Sequence, residues 1–170
     1  MRMNRTANTI LGAIVLSAGL TACGTSEEGA EATGEEVAVA EEMTVIEERQ
    51  ANFEGIGDAF MAIRGQLEEA SPDFGVIAAS AQTIDTNANK ISGYFPEGTG
   101  MDSGADTEAL ATIWEQPEEF AAAIDRLTGA SAGLVEAAAS EDVEVVGAAV
   151  MNLGGACMNC HETFRLDDES

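Results

Sequence analysis

The sequence predicts an all-α protein and, within that class, an antiparallel four-helix bundle. Two observations carry this. Four segments place apolar residues at alternating spacings of three and four, the period of a helix that buries one stripe. No run alternates with the period of a strand between turn signals. A third observation attaches a cofactor to the fold: the last stripe contains Cys157-Met158-Asn159-Cys160-His161, and Cys-x-x-Cys-His is the covalent attachment signature of a c-type haem.

The first stripe reads Ile46, Arg49, Phe53, Ile56, Phe60, Ile63, Leu67, and the second Phe74, Ile77, Ala81, Ile84, Ala88, Ile91. Ser71-Pro72 suits the N-cap and first position of that second helix. The third stripe, Phe120, Ile124, Leu127, Ser131, Leu134, Ala138, is opened by Pro117-Glu118-Glu119. The fourth, Val143, Val146, Val150, Leu153, Cys157, Cys160, Phe164, follows Ser140-Glu141-Asp142, whose acids suit the positive end of a helix dipole. The joints between the first two and the last two helices are short and make those pairs antiparallel. Gly93 to about Thr107 is a long Gly-rich connection between the second and third.

On a helix, positions i, i+3 and i+4 share a face. Cys157 and Cys160 can therefore form thioethers to one porphyrin edge while His161 ligates the iron from below. A dithiol redox pair would need a βαβ context, and a zinc site two further ligands; the sequence offers neither.

The first residues form an export signal: Arg2 and Arg5 precede an apolar run, Ile10 to Leu20, too short to span a bilayer comfortably. Leu20-Thr21-Ala22-Cys23 resembles a bacterial lipobox, so residues 1–22 read as a lipoprotein signal peptide and Cys23 as the lipid-modified mature N-terminus. Gly24 in place of an Asp favours the outer membrane. Residues 23–40, rich in Glu, Gly and Ala, read as a lipid-anchored, acidic, flexible tether. Residues 41–170 read as one domain. Export suits haem attachment, which takes place outside the cytoplasmic membrane and consumes both remaining thiols. The formal net charge of −24 becomes −26 once Arg2 and Arg5 leave with the signal, which excludes nucleic acid as a partner.

Arg49 is the anomaly of the first stripe, because a cation on an apolar face needs a partner once the bundle closes. A haem propionate would supply one; alternatively the side chain snorkels to water at the bundle edge. His161 is the only histidine, so the sixth ligand can only be Met, water, an external gas or nothing. Met43, Met61, Met101, Met151 and Met158 each read as structural or exposed.

With Arg49-Gln50 and Phe53 in the first helix, Tyr94-Phe95-Pro96-Glu97-Gly98-Thr99 in the loop, Ile113-Trp114 before the third helix, and a C-terminal haem motif followed by Phe164-Arg165, residues from about 43 to 166 resemble cytochrome c′, the class II c-type cytochromes. The resemblance implies one covalent haem c held by Cys157 and Cys160, with His161 as the iron ligand and Arg165 beside its imidazole. It also implies that Arg49 and Gln50 lie near the propionates and Phe53 at the distal position, where low-spin relatives carry a ligating Met. A phenyl ring offers iron no lone pair. The expected iron is therefore five-coordinate and high-spin, binding small diatomic gases such as NO or CO. NO scavenging or buffering is the expected role, periplasmic one-electron transfer the alternative, and enzymatic turnover is not expected. Trp114 is expected to be core packing, and a homodimer through the first two helices is implied.

Overall fold

The structure, a computed structural model, describes residues 34–166, with side chains over 44–166. The signal peptide, Cys23 and the tether up to residue 33 lie outside the described residues. The helices are α1 (Gly34–Glu68), α2 (Phe74–Ala88), a short α3 (Thr112–Glu115), α4 (Pro117–Ala138) and α5 (Val143–Phe164), with 3₁₀ turns at Ile91–Gly93 and Met101–Ser103. The described residues contain no strand, only an isolated antiparallel bridge between Ala109 and Arg165.

The four stripes become the core. Ile56 and Ile63 of α1, Ile77 and Ile84 of α2, Leu127 and Leu134 of α4, and Val146, Val150 and Leu153 of α5 pack in one buried cluster. Its driving force is the removal of these apolar surfaces from water, about 25 cal/mol per Å². Ser131 is tolerated at the centre because its Oγ lies 2.8 Å from Asp85 Oδ1, joining α4 to α2.

Two boundaries differ from expectation. The helix α1 begins at Gly34, inside the segment read as a tether. Residues 34–43 are mostly Glu, Ala and Val, and extending a helix already nucleated by its packed half costs far less than starting one. The N-cap of α2 is Asp73, not Ser71: its Oδ1 accepts from the Gly75 and Val76 amides at 2.8 and 3.2 Å. Pro117 does stand in the first turn of α4. Asp142 caps α5 by accepting from the Glu144 and Val145 amides.

Chain direction fixes which ends meet. The helix α1 runs away from the connection between α2 and α4, α2 returns to it, α4 runs away again and α5 comes back. The N-terminal half of α1, residues 89–116, the start of α4 and the end of α5 thus converge at one end of the bundle. A second buried cluster seals it, formed by Ala109, Ile113, Phe120, Ala123 and Phe164, with Phe95, Trp114 and Cys160 against it. The Leu110 amide donates to Phe164 O at 3.1 Å and the Leu166 amide donates to Glu108 O at 2.9 Å, so the connection supplies a donor and an acceptor to the end of the last helix.

Candidate functional site: a haem cradle at one end of the bundle

Gly154 of α5 meets Phe60 of α1: a Cβ built there would lie 3.7 Å from Phe60 Cζ. Seven residues towards the N-terminus of α1 is Phe53, and seven towards the C-terminus of α5 is His161. The helices are antiparallel, so both steps lead the same way, about 10 Å up the bundle, and two turns return each residue to nearly its original side. Phe53 and His161 therefore stand at the same level on facing sides. Elsewhere α1 packs on α2 and α4 on α5; among the neighbouring pairs of the four long helices, α1 and α5 are the least closely packed.

Cys157, Cys160 and His161 are all half-buried, and both cysteines are free thiols. Burial pushes the Cys157 thiol up, and Cys160 is pushed up to about 11 by desolvation, with the charge of Cys157 adding and Arg126 opposing. Protonated thiols at ordinary pH are the reverse of the acidic thiolate in a redox dithiol. Among the described residues, no group of three or more His, Cys, Asp or Glu converges as ligands to one ion.

Arg49, one turn above Phe53, does not snorkel: it is 3% exposed. Nη1 donates to Tyr94 O and Thr99 Oγ1 at 3.2 and 3.1 Å, and Nη2 to Thr99 O and Thr107 Oγ1 at 2.9 and 2.7 Å. Its Cζ lies 4.7 Å from the Phe95 ring centroid. These partners are neutral, no carboxylate pairs with it among the described residues, and burial pulls its pKa down from the usual value. A buried cation with hydrogen bonds but no counter-charge is an electrostatic complement for a nearby carboxylate such as a propionate. Gln50 donates from Nε2 to Asp106 O at 2.7 Å on the exposed side of the same loop. Arg165 Nε meets Glu108 Oε2 at 2.5 Å, and its backbone amide donates to His161 O at 3.1 Å.

The family model for cytochrome C′ matches residues 44–165. The chain belongs to the cytochrome c′ family. It is 38% identical over 106 residues to cytochrome c-554 of Cereibacter sphaeroides strain ATCC 17023, covering 61% of this chain and 69% of that one. Cytochrome c′ of Pararhodospirillum photometricum is 33% identical over 120 residues, 71% of this chain and 94% of the relative. The solved cytochrome c′ of Rubrivivax gelatinosus superposes with a TM-score of 0.67 at 31% identity, covering 74% of this chain and 97% of that structure. As a member of this family it is a c-type haem protein with covalently bound haem c, and the family's members are generally periplasmic. The cradle of Cys157, Cys160, His161 and Arg49 fits that group.

The resemblance gathers Cys157, Cys160, His161, Phe53 and Arg49 around one haem; the structure brings these residues to one end of the bundle. Three partners are given no role by the sequence. Phe95 lies in a loop without periodicity. Asn52, buried with its Nδ2 donating to Asn87 O at 3.1 Å, sits beside the stripe and not on it. Arg126, which donates to Asn159 Oδ1 at 2.8 Å, could have been noticed as the one cation of α4. Trp114 packs as expected: its Nε1 donates to Phe95 O at 3.1 Å, and a Cβ at Gly100 would fall 2.7 Å from its ring.

Proposed function

We propose that this protein binds small neutral diatomic gases, NO or CO, at a five-coordinate high-spin haem, and that it scavenges or buffers NO without catalysing turnover. When bound, the haem supplies an iron that takes the His161 imidazole on one side and a gas on the other. The observation that supports this is Phe53, level with His161 across the bundle and edge-to-face with Phe95 at 6.4 Å. Its ring offers the iron no lone pair. Methionine, the internal alternative, is turned outward: Met61, Met101, Met151 and Met158 are 61%, 43%, 74% and 64% exposed. The side chain of Met43 lies outside the described residues.

The charged donor nearest this ring pair, Arg49, has its Nη atoms committed to Tyr94, Thr99 and Thr107, which disfavours stable oxygen carriage, and the Phe95 ring beside Phe53 offers no acid or base for turnover. A solved neighbour of this fold, from Alcaligenes xylosoxidans, is the nitric oxide complex of a cytochrome c prime mutant. We further infer, from Leu20-Thr21-Ala22-Cys23, that Cys23 carries a lipid holding the domain at a bacterial membrane, the outer one where there are two. A homodimer through α1 and α2 is the assembly the family resemblance implies. The gas reading is tested by titrating ferric and ferrous holoprotein with NO: a stoichiometric spectral change supports it, and a spectrum indifferent to NO in both states overturns it.

A further inference from the structure

Four phenylalanines form a continuous edge-to-face ladder across the cradle. Phe53 of α1 meets Phe95 at 6.4 Å and 66°, Phe95 meets Phe120 of α4 at 4.9 Å and 74°, and Phe120 meets Phe164 of α5 at 5.1 Å and 73°. The ladder starts at the distal residue and ends three residues beyond His161. Phe95 alone among the four belongs to no helix, yet it is held from several directions. The Arg49 guanidinium lies against its ring, its carbonyl accepts from Trp114 Nε1, and its neighbour Tyr94 is tied to Arg49 through O.

We propose that Phe95 is a positioning residue for gas binding: its ring is the stop against which Phe53 rests, and it sets how readily Phe53 swings aside to admit a diatomic. This rests on Phe53 being the distal residue, as proposed above. The physical argument is one of confinement. Phe53 is only half-buried, while the other rungs are tied by shorter ring contacts, so the 6.4 Å contact is the looser joint of the ladder. The freedom of the distal ring is then governed by the edge that Phe95 presents to it. Because Arg49 holds the Phe95 loop, the same residue that offers positive charge to the cofactor also fixes the stop.

The test compares CO association with ferrous holoprotein by flash photolysis in wild type, Phe95→Leu and Phe95→Trp, with optical spectra and melting temperatures for each. Leu removes the edge and is expected to raise the association rate about fivefold, the factor equivalent to one aromatic pair. Trp adds bulk against Phe53 and is expected to slow it. A merely structural Phe95 would lower the melting temperature in both variants while leaving the rates within about twofold of wild type or moving them in the same direction, and either result overturns the proposal. Should Phe95→Leu fail to load haem, an unchanged or faster rate in Phe95→Trp overturns it as well. A six-coordinate low-spin wild-type spectrum would bring down the distal reading and the Phe95 role together, whereas a five-coordinate wild type with rates insensitive to Phe95 removes this role only.

Discussion

At the scale of residues, the site depends on two side chains of α1 one turn apart, which do opposite things. Phe53 supplies a surface without chemistry; Arg49 supplies charge in a place where charge is expensive. Replacing Arg49 by Met would remove the guanidinium donors from Tyr94 O, Thr99 O, Thr99 Oγ1 and Thr107 Oγ1, of which Thr107 Oγ1 keeps the Ala109 amide. The expected cost is about 2–4 kcal/mol, since unpaired buried groups cost more than a hydrogen bond gains. Because the loop of residues 94–107 hangs on that guanidinium, amide hydrogen exchange in Tyr94–Thr107 should accelerate before the global transition does. Unchanged exchange there would show that the loop is held by other contacts. By contrast, Arg165→Ala, which breaks a half-exposed pair with Glu108, should cost under about 1 kcal/mol by denaturant unfolding.

At the scale of elements, the stripes were legible because burial enforces periodicity, and the buried side chains of α1, α2, α4 and α5 are largely those the pattern picks out. Caps were less legible. Asp73 caps α2 two residues beyond Ser71, because both are good N-caps and only the folded register decides between them. The start of α1 was misread for a related reason: a low-hydrophobicity segment can still be helical when it merely extends a helix packed further along. The cradle was half legible. The haem motif and the stripe position of Phe53 are local patterns, whereas Phe95 and the neutral partners of Arg49 come from a loop whose path is set by tertiary contacts. Asp142→Ala tests the element that carries the cofactor: losing a cap that accepts from two amides should cost about 1 kcal/mol, measured by chemical denaturation of the holoprotein.

For the whole molecule, a haem that fills part of the core, as proposed, makes the apoprotein and holoprotein differ in stability and in its pH dependence. In the apoprotein, Cys160 is a thiol with a folded pKa raised to about 11. The unfolded chain releases that proton first, so this contribution is fully present below the ordinary thiol pKa and is lost as pH rises towards about 11. Apoprotein melting temperature should therefore fall over that alkaline interval, and thioether-linked holoprotein should not show this component. An apoprotein as stable as the holoprotein at neutral pH would contradict the role of the haem in the core. Anchoring is separable from folding: Cys23→Ala should release haem-loaded soluble protein, and mass spectrometry of the mature N-terminus should find a lipid on Cys23 in the wild type. A mature chain that begins well downstream would refute the anchor and leave the cradle intact.

The central claim is that Phe53 keeps the sixth position of the iron free of any internal ligand, and the optical spectrum of the ferrous holoprotein, wild type beside Phe53→Met, tests it most directly. The wild type should be high-spin and five-coordinate, while the variant, with a thioether at the same helical position, should become largely low-spin and bind CO more weakly. A wild type already low-spin with a methionine-ligated signature, or a Phe53→Met protein indistinguishable from it, would contradict the assignment of Phe53 to the distal face.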